Sequence, residues 1–285
     1  MLQIIHTNDF HDRLTDAAAD RLAGLKRELM ATGGGLLLDA GDAGGAGNLT
    51  YHSGGELILE RMSRIGYDAM TVGNRDFHLT RVGFRCKLSR ATFPILCANV
   101  YPAPMPSDAD RSTGEYISGR TDELPVHRYL VRETNGWRVV ILGLTVPMIT
   151  PQMLSRKVSA YVFETPLRCA QRLVPLLRER YSPDLLIALT HIGFTRDQEL
   201  ASTVPGIDLI IGGHSHTVLE DGLQVENTLI VQAGSRGSHV GRIEIEKNTN
   251  AVINANVGTD TNTDTNLAQS RERSALILRS KLETL

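Results

Sequence analysis

A chain of 285 residues, 41% of them hydrophobic, carries enough apolar material for one large domain or two small ones. Its 30 basic and 32 acidic residues are spread along the sequence and leave a net charge of −2, which gives no electrostatic footprint for nucleic acid or an anionic membrane. Cys86, Cys97 and Cys169 are widely spaced and form no C-x-x-C pair, so neither a disulfide framework nor a thiolate metal site is suggested.

The N-terminal MLQIIHTND lacks the basic and long apolar regions of a signal peptide, and no run approaches the length of a membrane span. The expectation is a cytoplasmic protein that crosses no membrane. Short β-rich runs then alternate with helical patterns: LQIIHT with DRLAGLKREL, GLLLDA with GELILERMSRI, then DAMTV and FPILCANV. HRYLVRE and WRVVILGLT flank Asn135-Gly136, a hairpin signal. PLRCAQRLVPLLRERY reads as a helix, DLLIALTH and IDLIIGGH as buried strands, and TLIVQAG with HVGRIEIE as a second antiparallel pair. Alternation of this kind predicts an α/β fold with a mixed sheet covered by helices.

Two segments stand apart. Residues 101–125 are rich in Pro, Ser, Gly and charge and read as a long surface excursion, either a plain loop or a lid. Residues 248–266, biased toward Asn, Thr and Asp, have a linker composition. They separate a domain over 1–247 from a C-terminal helix over 267–285, in which Ala275, Leu278, Leu282 and Leu285 fall at near-helical spacing and offer a face for docking on the domain or on a second copy.

Ligand-type residues gather just past the apolar strands. Asp9 and His11 follow LQIIHTN, Asp42 follows GLLLDAG, Asn74 follows DAMTVG, His191 follows DLLIALT, and His214 and His216 follow IDLIIGG. Loops at the carboxyl ends of strands in an open α/β sheet share one crevice. In extended chain, D-x-H and H-x-H project both side chains to the same side. Seven donors exceed the needs of one ion with open positions and suit two divalent ions sharing a carboxylate. Mixed N and O donors without thiolate favour Mn, Fe, Zn, Ni or Co.

The blocks TNDFHD, DAGDAGG, GYDAMTVGNRDF, LTHIGF, GIDLIIGGHSHT and QAGSRGSHVG resemble the calcineurin-like metallophosphoesterases, specifically the 5′-nucleotidase branch, over about Met1 to Lys247. The resemblance implies a two-sheet α/β sandwich of mixed sheets flanked by helices, with a dinuclear metal centre at the strand ends. It implies one ion on Asp9, His11, Asp42 and His216, the other on Asp42, Asn74, His191 and His214, and in-line attack of a metal-bound hydroxide on a small phosphorylated substrate. Two such cations activate water near neutral pH and clamp phosphate oxygens.

The chain departs from the family at GNRDFH. The usual motif is GNHEFD, whose His acts as acid or transition-state stabiliser and whose last Asp orients it; here Arg75 and His78 take those places. Arginine keeps its proton, so the expected roles are a phosphate clamp for Arg75 and proton donation to the leaving group for His78. The alternative pairs Arg75 with Asp76 or another carboxylate and makes His78 a packing residue. GDAGGAG is expected to be a turn that places Asp42, and His6 and Asn8 to support the first ligand loop. Family members of this type carry a second domain for the nucleoside, for which the chain's last forty residues are too short. The leading expectation is a phosphomonoesterase, nucleotides included; the alternatives are a phosphodiesterase and a non-catalytic binder of metal and phosphate.

Overall fold

The computed structural model describes residues 1–107, 124–150, 152–247 and 276–285. Two six-stranded sheets lie face to face. The first contains β1 (Leu2–Thr7), β2 (Gly35–Asp39), β3 (Ala69–Thr71) and β4 (Ile95–Leu96). A separate two-stranded pair follows, with β5 (Val100–Pro102) against β8 (Tyr161–Phe163). The second large sheet contains β6 (Tyr129–Thr134), β7 (Trp137–Thr145), β9 (Leu185–His191), β10 (Leu209–Ile211), β11 (Leu223–Val225) and β12 (Thr228–Val231). Last come β13 (His239–Lys247) and β14 (Leu276–Thr284), which extend the first sheet. The strand orders are β14-β13-β1-β2-β3-β4 and β11-β12-β10-β9-β7-β6. Each has a parallel centre with antiparallel members at its margin.

The alternation of side chains along these strands divides the core into three layers. Leu36 and Leu38 meet Ile141, Ile187 and Leu189 between the sheets. Leu37 points the other way, against α1 (Asp16–Ala31), α2 (Leu57–Ile65) and α3 (Arg81–Leu88). Val140, Leu142, Leu186 and Ala188 cover the outer face of the second sheet beneath α4 (Pro166–Tyr181) and α5 (Phe194–Thr203). The strands read as unbroken apolar runs because both faces are covered. The mixed-sheet sandwich flanked by helices is the architecture expected from the sequence. At the β6–β7 turn, Asn135 and Gly136 both have positive φ, 49° and 75°, as a type I′ hairpin requires.

Two expectations are corrected. TLIVQAG and HVGRIEIE are not a hairpin: β12 lies between β10 and β11 in the second sheet, and β13 pairs β1 in the first. The intervening residues cross from one sheet to the other, tied to the first ligand loop by Ala233 N–H to Asn8 Oδ1 (2.9 Å) and Arg236 N–H to Asp9 O (2.7 Å). The C-terminal helix, within the described residues, is a strand. β14 runs antiparallel to β13 from Leu276↔Lys247 to Thr284↔His239, and Leu276 and Leu278 pack against the inter-sheet core. Unpaired amides and carbonyls along β13 supply a ladder that outweighs a local spacing compatible with helix. The oligomer contact expected of that helix loses its basis. Residues 108–123 of the surface excursion, and the whole of 248–266, lie outside the described residues.

Candidate metal centre

The seven predicted donors come from five turns at strand ends: β1 supplies Asp9 and His11, β2 Asp42, β3 Asn74, β9 His191, and β10 His214 and His216. The structure brings all seven together. His11 Nε2 lies 3.0 Å from His216 Nε2, and Asp9 Oδ1 lies 3.6 and 3.3 Å from these two nitrogens. His191 Nε2 is 3.5 Å from Asp42 Oδ1 and 3.3 Å from Asn74 Oδ1, which His214 Nδ1 approaches at 3.0 Å. Asp42 Oδ2 faces the first group, 3.9 Å from His11 Nδ1. Asp42 thus reaches both groups, one through each oxygen. On donor spacing alone Asp9 also joins two clusters, one with His11 and His216 and one with Asp42 and His191.

The turns are not the extended segments that the i, i+2 argument assumed. Asp9, His11, Asp42, His214 and His216 have φ of 54°, 50°, 57°, 77° and 56°, the left-handed region that costs an L-residue about 1–2 kcal/mol. Cross-links between loops hold them there. Asp9 N–H donates to Gly41 O (2.9 Å), and His11 N–H to Asp42 O (3.0 Å). Asp42 N–H donates to Asp76 Oδ2 (2.7 Å), which also accepts from Gly73 N–H (2.8 Å); Asp76 Oδ1 accepts from Gly44 N–H (3.2 Å). Gly73 is required by closeness, since a Cβ on it would stand 2.2 Å from both the amide nitrogen and Oδ1 of Asp42. The turn reading of GDAGGAG holds in that the amides of residues 41, 42, 44 and 45 are all taken by carboxylates of the protein, those of Asp39, Asp76 and Asp12.

Asn8 acts as expected. Its Nδ2 donates to Asp9 Oδ2 (2.8 Å) and Gly234 O (2.6 Å), and His214 N–H also reaches Asp9 Oδ2 (2.9 Å). His6 does not act as expected. It is buried with Nδ1 unpartnered, and its ring lies across Gly241 of β13. Period-2 alternation explains the difference, since His6 and Asn8 project to one face only if the strand continues through both, and β1 ends at Thr7.

These donors fit a cation. Asp9 Oδ1 is buried without a hydrogen-bond partner while two imidazole nitrogens face it. Ligands at about 2.0–2.2 Å from one ion, ~90–110° apart, stand roughly 3.0–3.5 Å from each other, the spacing seen here. His191 Nδ1 lies 2.7 Å from Ala40 O, so this nitrogen carries the proton and Nε2 turns its lone pair inward, as in metal-ligating histidines. Burial works against charge on His191, but the Asp42 carboxylate more than offsets it and raises the imidazole to about 9. Asp42, despite its burial, is lowered by the same pairing. Burial lowers His11 and His214, and their neutral nitrogens are the form that binds metal.

The two substituted positions separate. Arg75 joins the site: its N–H donates to Asp42 Oδ1 (2.7 Å), its Nη1 to Gly45 O (2.8 Å), and Nε lies 3.7 Å from Asp42 Oδ2, with the side chain 43% exposed. No helical turn begins after Asn74. The chain turns over residues 74–76 and α3 starts only at Arg81. His78 consequently faces α3. Its Nδ1 accepts from Thr80 N–H (3.1 Å) and Thr80 Oγ1 (3.0 Å), and its ring meets that of Tyr51 edge to face at 5.0 Å. It makes no hydrogen bond, ion pair or ring contact with any of the seven donors. Sequence reading missed Asp76 as an anchor of three amides, and Lys87, which is fully buried and donates to Ala46 O (3.2 Å), Gly47 O (2.9 Å) and Arg75 O. Asp197 was also missed. It accepts from Thr190 Oγ1 (2.7 Å) beneath His191, and burial raises it to about 7.

Residues 2–218 match the model of the calcineurin-like phosphoesterase family. The chain is 33% identical over 273 residues to the trifunctional nucleotide phosphoesterase protein YfkN of Bacillus subtilis, covering 88% of this chain and 18% of that one. It is 31% identical to the 5′-nucleotidase of Rattus norvegicus, covering 86% of this chain and 46% of that protein. A solved structure, the 5′-nucleotidase precursor from Thermus thermophilus, superposes with a TM-score of 0.66 at 28% identity, covering 86% and 51% of the two chains. The chain therefore spans about half the length, or less, of these relatives.

Proposed function

Because this chain belongs to the calcineurin-like phosphoesterase family, we propose that it hydrolyses a small phosphate ester at a centre of two divalent cations. Asp9, His11, Asp42 and His216 would hold one ion, and Asp42, Asn74, His191 and His214 the other. The observation that carries this reading is the convergence of seven N and O donors around a buried, unpartnered Asp9 Oδ1. When bound, the ions supply Lewis acidity toward water and toward the phosphoryl oxygens.

The chain's own residues orient the ester. Arg75 has its backbone fixed on Asp42 and its guanidinium half exposed beside it, so the planar fork can take two phosphoryl oxygens as charge develops. The Asn74 amide turns its oxygen to His191 and His214, leaving Nδ2 as a donor to the phosphate. Arg75 cannot release a proton. Relatives named as 5′-nucleotidases support a nucleotide among the candidate monoesters. A phosphodiester is the second reading, since two free oxygens suffice for the Arg75 fork.

The test is elemental analysis of purified protein, with turnover of monoester and diester chromogenic substrates in Mn, Co, Ni and Zn. Asp42→Ala is expected to lower metal content and to cut turnover by ~10³-fold or more, the several kcal/mol of charge stabilisation a metal supplies. Undiminished turnover in that variant removes the proposal. Tight phosphate binding without turnover of either ester replaces it with a binding role.

A further inference from the structure

The residues between β2 and α2 form a loop fastened to the site from below. Gly44 N–H is held by Asp76, Gly45 N–H by Asp12 (2.7 Å), Gly45 O by Arg75 (2.8 Å), and the carbonyls of Ala46 and Gly47 by the buried Lys87 ammonium. Lys87 also accepts nothing from solvent and reaches the Arg75 carbonyl, so one cation ties the loop to the GNRDFH turn. Further along the loop stands Tyr51, 39% exposed, with its ring edge to face with His78 (82° between planes). His78 is 5% exposed and fixed from behind. Thr80 occupies Nδ1, and Gly83 leaves the ring room, since a Cβ there would come within 2.2 Å of Nδ1. Both substitutions in GNRDFH therefore grip the same loop, Arg75 at Gly45 and His78 at Tyr51.

We propose that residues 44–53 are a specificity loop, that Tyr51 offers its exposed ring to a planar leaving group, and that His78 is the positioning residue that holds Tyr51. The preferred substrates are phosphate monoesters of aryl alcohols or similarly flat, weakly basic leaving groups. The inference rests on the hydrolase reading and gives it a substrate class.

A second line of chemistry agrees. In hydrolysis the water oxygen forms the new P–O bond, its proton passes to solvent, and the old P–O bond breaks with its electron pair going to the leaving oxygen. An alkoxide, whose conjugate acid resembles water with a pKa of about 16, needs a proton as it departs. Arg75 gives none, and His78 is turned toward Thr80. A phenoxide, with a conjugate acid near ~10, departs without one. Loss of the usual acid and gain of an exposed aromatic ring select the same substrates.

The experiment compares phenyl phosphate with methyl phosphate in wild type, Tyr51→Ala, His78→Ala and His78→Phe, alongside titration with the uncleavable phenyl- and methylphosphonates. Wild type is expected to favour the phenyl ester, and to bind phenylphosphonate about tenfold more tightly, as stacking on one aromatic residue typically gives. Tyr51→Ala is expected to shrink both preferences about tenfold, mainly through KM. His78→Ala should follow it, and His78→Phe, which keeps a ring edge but holds no proton, should restore the preference. Equal wild-type affinity for the two phosphonates overturns the proposal. So does a kcat loss on both esters in His78→Phe as large as in His78→Ala, which would make His78 the acid. Phosphonate preference in wild type, lost in Tyr51→Ala, without turnover of either ester would uphold the subsite and sink only the hydrolase reading.

Discussion

Burial holds the His6 imidazole at about 3, against an ordinary 6.5. The unfolded chain takes up that proton as pH falls below 6.5 while the folded chain refuses it until about 3, so protons favour unfolding across this window. Stability from His6 is complete above pH 6.5 and falls away toward pH 3, by at most roughly 4–5 kcal/mol at ~1.4 kcal/mol per pH unit. Urea midpoints measured between pH 7 and 4 should drop more steeply in wild type than in His6→Asn; parallel curves would show that the ring is charged in the fold. Residue identities were legible in the sequence where each stood directly behind an apolar strand, as all seven donors do. Lys87 and Tyr51 were not, because their partners are loop carbonyls and a ring 27 residues away in sequence, for which no periodic pattern exists. His78 was misjudged for a related reason: its direction depends on where α3 begins, and the Thr80 cap that sets this, accepting from Gly83 N–H at 3.1 Å, is a three-dimensional fact.

Between elements, the tightest approach away from the site is β1 on β13. His6 pairs with Gly241 in register, and a Cβ on Gly241 would fall 1.9 Å from His6 Nε2. Gly241→Ala should destabilise by about 2 kcal/mol or more, as overpacking does. The double variant with His6→Ala should recover most of that loss, giving a coupling visible in denaturant midpoints; simple additivity would mean the ring does not block the position. The same neighbourhood shows why element types were harder to read at the C-terminus than in the body of the chain. Leu278 and Leu282 satisfy a helical face and a strand face alike, four residues apart. What decides between them is the edge of β13, formed by residues far from them in sequence. The central strands carried no such ambiguity, since apolar runs bounded by glycine and acidic residues recur along 1–211. The β12 and β13 runs were each correctly seen as strands, yet their pairing failed because an apparent turn carries the chain between sheets.

At the scale of the whole molecule, two sheets converge on one seam, and the donors bridge it: His191 and His214 come from one sheet, Asp9, Asp42 and Asn74 from the other. Cations bound there join the halves of the sandwich as well as serving chemistry. Addition of Mn or Zn at a hundredfold excess over Kd should therefore stabilise the fold by about 2.7 kcal/mol, read as a rise of roughly 5–10 °C in Tm. Chelator should reverse it and Asp42→Ala should blunt it; an unchanged Tm would mean that the turns hold no ion. The left-handed turns have a consequence for descent. Glycine at Asp9, His11, Asp42, His214 or His216 would relax the main chain but delete the donor, so comfort and ligation are mutually exclusive at those five positions. A lineage released from the need for the ion would keep both sheets, drift toward glycine or asparagine at these corners, and become sturdier as it fell silent.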